Sequence, residues 1–392
     1  MTPKSRITQL RFDQPKDFFQ SVAGHQFPVA IWRLPNQPGI QGIADLRPDV
    51  HESINIESSQ PCFFINPFDR HHPCNPDIIK CDLLLSWNDE VSLELNPMLN
   101  DSELEAFERI YHEPTARVKH DSILDQPDYE GCVKKAVEAI KDGQFTKTVL
   151  SRFEEAPLPS GFSETDIFEQ ACEKYPNAMV YLLYSPSYGT WLGATPEILI
   201  DIDTKKQFTT VSLAGTQKLS LDQSLSDVAW TQKDIEEQAM VSRYIIDCFK
   251  KIRLREFEEN GPKTARAGRL AHLKTFYHVD MNAVGMPNLG TVMTDLLHPT
   301  SAVCGMPLAP ALQFIKENEN YDRELYAGFL GPVNIANSTH LFVNLRCMKI
   351  SGDQARFYAG AGITEDSNPA KELQETSLKM QTLKRLVFDN KD

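Results

Sequence analysis

The sequence lacks the features that mark membrane-spanning, secreted and nucleic-acid-binding chains. Its longest candidate apolar stretch, Ala178–Tyr184, is the length of a strand, whereas a membrane-spanning helix needs about 18 apolar residues or more. The basic residues near the N-terminus are not followed by an apolar segment of the kind found in secretory signals. The formal net charge of −14 opposes binding to nucleic acid, which requires a basic surface. We therefore expect neither a membrane nor a nucleic acid as a partner.

Paired cysteines are absent as well. The eight cysteines stand singly, with no CxxC pair and no histidine-rich spacing around them. Isolated cysteines are typical of buried thiols in a reducing compartment, and they predict neither a zinc site nor a disulfide framework. The sequence therefore favours a cytoplasmic location.

The composition is that of an ordinary globular protein. Hydrophobic residues make up 41% and charged residues 24% of its 392 positions, which is enough for a substantial core. Residues 27–87 alternate short apolar runs with Pro, Gly and Asn, a pattern typical of strands and turns. Further strands follow one another with short turns, which indicates antiparallel sheet. Because helical segments separate these strands, we predict an α+β fold with large antiparallel sheets.

Two helices near the C-terminal end carry most of the candidate chemistry. The first is predicted from Lys233 to Ile252, and the second from Pro369 to Phe388 with Asn368 as its N-cap. Between them, Leu341–Ile350 and Ala355–Gly360 are predicted to be paired strands.

Each of these helices carries two acids three residues apart, at the head of an apolar stripe. The acids are Asp234 and Glu237 on the first helix and Glu372 and Glu375 on the second. Carboxylates in a packed region are costly unless they are paired or bound to a metal, and oxygen ligands without nearby His or Cys favour magnesium. Alternatively, Glu375 and Lys379 form an exposed i, i+4 ion pair and the other acids are solvated. The pattern alone leaves both interpretations open.

A lysine lies within an apolar strand predicted over residues 145–152. Lys147 shares one face of that strand with Phe145 and Val149. Burial favours the neutral amine of a lysine, which is the form that can act as a base. The alternative is an edge-strand lysine that opposes aggregation.

Two glycine-containing segments follow strands. Gly360-Ala361-Gly362 offers backbone N–H groups that side chains do not shield, which suits the capture of a carboxylate, and Ala214-Gly215-Thr216 has the same character. A tight turn is the alternative for both segments.

Taken together, these segments resemble the chorismate-utilizing enzymes, the family of anthranilate, aminodeoxychorismate, isochorismate and salicylate synthases. The resemblance runs from about Tyr129 to Leu386. It rests on the following blocks, in chain order: Phe145–Arg152, Gly193–Glu197, Leu213–Thr216, Lys233–Val241, His272-Leu273, Leu297–Ala302, Asp322–Gly328, Leu345-Arg346, Tyr358–Ile363 and Glu372–Lys379.

The resemblance implies one large α+β domain in which two extended antiparallel β-sheets pack as a sandwich with flanking helices. Residues 1–120 would be the variable N-terminal part of the same sandwich, and residues 121–392 the chorismate-binding catalytic region. The family uses its acids to hold Mg²⁺ against the ring carboxylate of chorismate. By this resemblance Glu237 and Glu375 would bind the metal directly, with Asp234 and Glu372 in support.

The nucleophile separates the branches of this family. Ammonia-using anthranilate synthases typically have glutamine where this chain has Lys147, and aminodeoxychorismate synthases typically have lysine where it has Ala214. The chain therefore resembles the water-using branch, which converts chorismate to isochorismate. Lys147 would activate water for attack at C2, Glu197 would protonate the departing C4 hydroxyl, and His272 would orient that hydroxyl.

The substrate carboxylates need local positive charge and hydrogen-bond donors in an acidic protein. The resemblance assigns this to Arg346, Tyr326, Lys379 and the amides of Gly360, Ala361 and Gly362. Gly215, Thr216, Leu345 and Tyr358 complete the expected substrate-binding set.

Three alternatives stay open at this point. A salicylate synthase would make the same intermediate and then eliminate pyruvate. An ammonia-dependent synthase would need a glutaminase partner, and a non-catalytic relative would bind chorismate without turnover. We expect a monomer with no obligatory glutaminase subunit. One departure from the family is Gln238, where many members have histidine after the metal-binding glutamate.

Overall fold

The computed structural model describes residues 12–47, 55–72, 77–88, 90–112, 128–220, 224–267 and 270–389. The expectation for residues 1–120 falls partly outside these ranges. No helix within them is long and apolar enough to cross a membrane.

Eight α-helices form within the described residues. They are α1 (Pro15–Gly24), α2 (Asp101–His112), α3 (Tyr129–Lys141), α4 (Glu164–Lys174), α5 (Gln232–Lys251), α6 (Leu289–Leu297), α7 (Leu308–Asn318) and α8 (Pro369–Phe388). The predicted start of α8 is confirmed, since the Asn368 side chain accepts a hydrogen bond from the Lys371 amide. Helix α5 begins one residue earlier than predicted, because Thr231 caps it.

The larger of two antiparallel sheets has ten strands. In spatial order they are β14 (Gly305–Met306), β7 (Lys147–Pro157), β18 (Gln354–Ile363), β17 (Cys347–Ser351), β9 (Gly189–Thr195), β8 (Met179–Ser185), β1 (Val29–Arg33), β2 (Ile40–Ala44), β5 (Leu83–Trp87) and β6 (Val91–Leu95).

The smaller sheet has eight strands. In spatial order they are β12 (Glu258–Ala267), β13 (Leu270–Asp280), β11 (Gln207–Lys218), β10 (Ile198–Ile202), β16 (Thr339–Val343), β15 (Phe329–Val333), β3 (Cys62–Asn66) and β4 (Asp77–Lys80). Strands β1 to β6 thus extend both sheets.

Strand β1 shows how the larger sheet is buried on both faces. Ala30 and Trp32 belong to one apolar cluster, which also contains residues of the eight-stranded sheet. Val29 and Ile31 belong to a second cluster, which contains the apolar faces of α1, α4 and α8. Because successive side chains of a strand point to opposite faces, one cluster lies between the sheets and the other lies under the helices. The predicted α+β sandwich with flanking helices is confirmed.

The prediction of one strand over Leu341–Ile350 is wrong. Strand β16 ends at Val343 in the smaller sheet, and β17 begins at Cys347 in the larger one. The chain crosses between the sheets at residues 344–346, where Arg346 adopts a left-handed φ of 50°. The apolar periodicity continues through the crossing because both strands are buried, so the sequence pattern does not reveal the break.

Candidate active site

A single cavity between the ends of the two sheets contains most of the predicted site residues. It encloses about 910 Å³ of empty space, including its open mouth. Strands β7 and β18 form one wall, β11 and β13 form another, and α5 and α8 flank the opening. The predicted residues that line it are Lys147, Glu197, Gly215, Glu237, His272, Tyr326, Leu345, Arg346, Tyr358, Gly360, Gly362, Glu375 and Lys379.

Lys147 lies at the start of β7 and is buried. Its Nζ donates to Glu237 Oε1 over 2.7 Å, and only 4% of the lysine side chain is exposed. Strand β7 has a neighbour on each side, β14 and β18, so the edge-strand interpretation of Lys147 is wrong. The ammonium of Lys147 is the largest influence on Glu237, and it lowers the pKa of that carboxyl.

Gly362 on β18 leaves the space that this ion pair occupies. A Cβ at Gly362 would lie 2.9 Å from Lys147 Cε and 3.1 Å from Glu237 Oε1. At Gly360 a Cβ would lie 3.0 Å from the hydroxyl of Tyr326. Both glycines lie within a strand, so the turn interpretation of this segment is wrong.

The edge of β18 that faces β17 is open near these glycines. Strand β18 pairs with β7 along its whole length, but the described pairing with β17 ends at Phe357. Lys379 Nζ uses this edge, because it donates to the Gly360 carbonyl over 2.8 Å. Backbone groups around Gly360 are therefore accessible from the cavity.

Glu197 follows β9 and is buried, with 8% of the residue exposed. Burial raises the pKa of its carboxyl to about 7, against the opposing effects of Lys379, Lys147 and Arg346. Within the described part of the chain no hydrogen bond reaches its carboxyl oxygens. A carboxyl with this pKa is about half protonated at pH 7, and its protonated form can donate a proton.

His272 on β13 is held in one tautomer. Its Nδ1 lies 2.9 Å from the Gly215 carbonyl oxygen, and because a carbonyl only accepts, Nδ1 carries the hydrogen. Burial lowers the pKa of the imidazole to about 4, so His272 is neutral near pH 7. Gly215 itself has a φ of 69° beside an irregularity in the pairing of β11 with β13, which suits a residue without Cβ.

Arg346 directs positive charge into the cavity from the crossing between the sheets. Among the described residues its guanidinium has no hydrogen-bond or ion-pair partner. Burial is the largest influence on the Arg346 pKa and lowers it, against the opposing effects of Tyr326, Glu375 and Glu197. Beside it, Tyr326 stacks on Tyr358 with ring centroids 5.5 Å apart, and Tyr358 stacks on Trp191 at 5.2 Å.

Helix α8 places Glu375 and Lys379 at the mouth. The two form the i, i+4 ion pair that the sequence suggested, with 2.7 Å between Lys379 Nζ and Glu375 Oε1. The Lys379 side chain is 24% exposed and the Glu375 side chain 47%. The pair nevertheless lines the cavity. The alternative of an exposed ion pair therefore identifies the contact between the two side chains but does not place them at the site.

Three of the predicted residues whose side chains are described do not line the cavity. Asp234 is engaged in the capping box of α5, where it accepts from the Thr231 amide and hydroxyl. Glu372 is buried, and this burial raises the pKa of its carboxyl. The Ala361 side chain points to the opposite face of β18 from Gly360 and Gly362. The side chain of Thr216 lies outside the described residues.

The prediction that the acids of α5 head an apolar stripe is only partly confirmed. Ile235, next to Asp234, is 48% exposed. The helix instead buries Gln238, Val241, Ile245, Cys248 and Phe249. Gln238 donates to the Thr275 hydroxyl over 2.9 Å. This departure from the family pattern is therefore a buried residue that links α5 to β13, next to Glu237 in the chain.

The cavity contains residues that the sequence analysis did not select. They are Val149, Pro196, Leu213, Ala214, Val241, Ala302, Val303 and Ala359. Val241 lies one helical turn after Glu237, so helical spacing alone could have found it. Ala302 ends one of the blocks that carry the resemblance, whereas Val303 has no sequence signal.

Among the described residues, a buried lysine, a carboxyl with a raised pKa and an arginine without an anionic partner surround one cavity and define an enzyme site for a small anionic substrate. The family model described as "Chorismate binding enzyme" matches residues 69–388, and the chain belongs to that family.

Individual relatives agree with this assignment. The isochorismate synthase EntC of Escherichia coli K12 is 28% identical over 271 residues, which cover 68% of this chain and 68% of EntC. The salicylate biosynthesis isochorismate synthase of Pseudomonas aeruginosa is 30% identical over 289 residues, covering 70% of this chain and 58% of that protein. The structure of MenF, the menaquinone-specific isochorismate synthase from Escherichia coli, superposes with a TM-score of 0.77 at 21% identity, covering 96% of this chain and 93% of MenF.

Proposed function

We propose that this chain is an isochorismate synthase, an isomerase that converts chorismate to isochorismate by adding water at C2 and expelling the C4 hydroxyl. The observation that carries the proposal is the presence of Lys147 and Glu197 in one cavity, the first as a candidate base and the second as a buried carboxyl whose pKa is raised to about 7. The names of the relatives from Escherichia coli and Pseudomonas aeruginosa support the same reaction.

The reaction needs a base and an acid because water is a poor nucleophile and hydroxide is a poor leaving group. The Lys147 amine takes a proton from water as the new C2–O bond forms. The two ring double bonds shift, the C4–O bond breaks, and Glu197 gives its proton to the departing hydroxyl, which leaves as water. Lys147 Nζ donates a hydrogen bond to Glu237 in the structure. To act as the base, Lys147 has to be the neutral amine, with its lone pair directed at the water.

The other cavity residues bind and orient the substrate. Arg346 offers a planar guanidinium to one substrate carboxylate, and the open edge of β18 at Gly360–Gly362 offers backbone amides. Tyr326, which stacks on Tyr358, contacts the edge of the chorismate ring. Neutral His272 orients the C4 hydroxyl, because its tautomer is fixed by the Gly215 carbonyl.

We propose Mg²⁺ as the cofactor, held by Glu237 and Glu375. Both carboxylates line the cavity. In the described ranges no group of three or more His, Cys, Asp or Glu residues is placed to hold a metal ion. Two carboxylates fit Mg²⁺, which protein sites commonly hold through one or two carboxylates together with substrate oxygens and water. When bound, it would neutralise the ring carboxylate of chorismate. Asp234 and Glu372 are proposed only to support these ligands.

The remaining assignments belong to the same proposal. Residues 1–120 complete the sandwich and residues 121–392 form the catalytic region. The protein acts as a monomer without a glutaminase subunit. The seven described cysteines are free, which supports a cytoplasmic location. Both menaquinone and siderophore synthesis are compatible with this reaction.

Product analysis tests the proposal. The protein is incubated with chorismate and Mg²⁺, and the products are separated and identified by mass spectrometry. Isochorismate without pyruvate is expected, and the Glu197→Gln variant serves as the control that forms it at a much lower rate. Equal amounts of pyruvate and salicylate would assign the chain to the salicylate synthases, and an aminated product with ammonium would assign it to the ammonia-using branch.

A further inference from the structure

A buried arginine joins the strand of the candidate base to the helix of the proposed metal ligand. Arg152 lies on β7, five residues after Lys147, and its side chain is 9% exposed. Its Nε donates to the Thr376 hydroxyl over 2.7 Å, and its Nη2 donates to the Ser377 hydroxyl over 2.6 Å. Both hydroxyls belong to α8, directly after Glu375.

These contacts fix the turn of α8 that carries Glu375. Thr376 is fully buried, and its hydroxyl also donates to the Leu373 carbonyl over 2.8 Å. The Ser377 hydroxyl donates to the same carbonyl over 3.0 Å. A single guanidinium therefore holds two successive helix positions, and two such positions determine the rotation of a helix about its axis. That rotation sets the direction in which Glu375 projects.

Other contacts also hold α8 on the sheet, further along the helix. Glu154, the next acid on β7, accepts from both Arg152 and Lys384, which lies two turns after Ser377. The apolar residues Met380, Leu383 and Val387 pack into the cluster under the helices. Because these contacts persist when the Thr376 hydroxyl is removed, α8 is expected to stay docked, while the turn that carries Glu375 loses one of its two contacts with Arg152.

We propose that Arg152 is a positioning residue for the metal site, which it serves by holding Thr376 and Ser377 so that Glu375 points into the cavity. This inference rests on the proposed function, because it takes Glu375 as a ligand of the divalent cation. It adds a residue that touches neither substrate nor metal and acts through its contacts with α8.

The test measures Mn²⁺ binding without turnover. The Glu197→Gln background slows the conversion of bound chorismate, and free Mn²⁺ is read by electron paramagnetic resonance during a titration. Thr376→Val removes the acceptor for Arg152 at nearly unchanged shape, and the Mn²⁺ Kd is expected to rise about tenfold, the lower end of the effect of losing contacts around the ligands of a metal site. Thr376→Ser restores the hydroxyl and should bind Mn²⁺ as the background protein does.

A matched control separates positioning from general loss of stability. Thr294 on α6 is also a buried helical threonine, and its hydroxyl donates to the Gly290 carbonyl over 2.8 Å, away from the cavity. Thr294→Val should lower the urea midpoint of unfolding to a similar extent as Thr376→Val and leave the Mn²⁺ Kd unchanged.

The outcomes distinguish this inference from the function on which it rests. Equal Mn²⁺ affinity in Thr376→Val and the background protein would overturn the positioning role, even if the unaltered chain makes isochorismate. Equal weakening by Thr294→Val and Thr376→Val would overturn it as well, since the effect would then be general. If the background protein binds no Mn²⁺, the metal assignment itself fails and the inference falls with it.

Discussion

Lys147 and Glu197 line the same cavity, but their surroundings differ. Lys147 has a carboxylate partner at 2.7 Å, whereas Glu197 has no hydrogen-bond partner for its carboxyl among the described residues and is surrounded by low-dielectric protein. Burial without a hydrogen bond favours the neutral carboxylic acid. Glu197 is therefore suited to give a proton to a departing hydroxyl.

The first prediction at this scale concerns pH. Because burial raises the Glu197 pKa to about 7, the protonated form needed for catalysis is depleted as pH rises through that value. We expect kcat for isochorismate formation to fall on the alkaline side of about pH 7. Glu197→Gln should lower kcat by about 10²- to 10⁴-fold, and its residual activity should lack this limb of the pH profile. A profile that stays flat from pH 6 to 9 in the unaltered protein would contradict the acid role.

The second prediction concerns the base. Lys147→Met keeps a side chain of similar length but removes the amine, so kcat should fall by about 10²- to 10⁴-fold while chorismate still binds. Binding is measured by calorimetry and turnover by chromatography of the product. Lys316→Met removes a surface lysine that pairs with Asp69 and should leave turnover unchanged. Retained activity in Lys147→Met would mean that another group activates water.

At the scale of secondary structure, the sequence predicts elements better than it predicts where they meet. Asn368 and Pro369 predict the start of α8 because capping chemistry is local. The break at Arg346 is not predictable in this way, since it depends on which sheet each strand joins. Asp234 shows the same limit. Its position at the head of an apolar stripe predicts a site residue, whereas in the structure its carboxylate caps the start of α5.

The glycines of β18 provide a prediction at this scale. Gly362→Ala introduces a Cβ within 2.9 Å of Lys147 Cε, so it should displace the lysine and lower kcat by at least about tenfold. Gly161 has a φ of 79° and open space around it, so Gly161→Ala strains the backbone by about 1–2 kcal/mol without reaching the cavity. Turnover and urea unfolding are measured for both variants. The account predicts lost turnover only in Gly362→Ala, and equal turnover in the two would count against it.

At the scale of the whole molecule, a protein with a net charge of −14 has to bind a dianion. The fold meets this requirement locally, because elements distant in the chain bring Lys147, Arg346 and Lys379 into one cavity. The acidic composition alone predicts that the protein disfavours anions. The local positive charge of the cavity is visible only in the folded structure. The resemblance to the family was therefore the stronger guide to the substrate.

Metal removal is the prediction at this scale. Chelation of divalent cations with EDTA should abolish turnover, and added Mg²⁺ should restore it. Because a cation that binds only the folded state stabilises it by mass action, Mg²⁺ at 100 times its Kd should add about 2.7 kcal/mol to the free energy of unfolding. Chemical denaturation with and without Mg²⁺ measures this. Full activity in EDTA would remove Mg²⁺ from the account.

The central claim is that Lys147 directs solvent water to C2 while Glu197 expels the C4 hydroxyl. The most direct test is turnover in H₂¹⁸O, with mass spectrometry of the isochorismate formed during the first few per cent of conversion. The account predicts one ¹⁸O atom in each product molecule, in the hydroxyl at C2. Isochorismate that retains only the original oxygen would show that the hydroxyl migrates within the substrate, and the roles given to Lys147 and Glu197 would be contradicted.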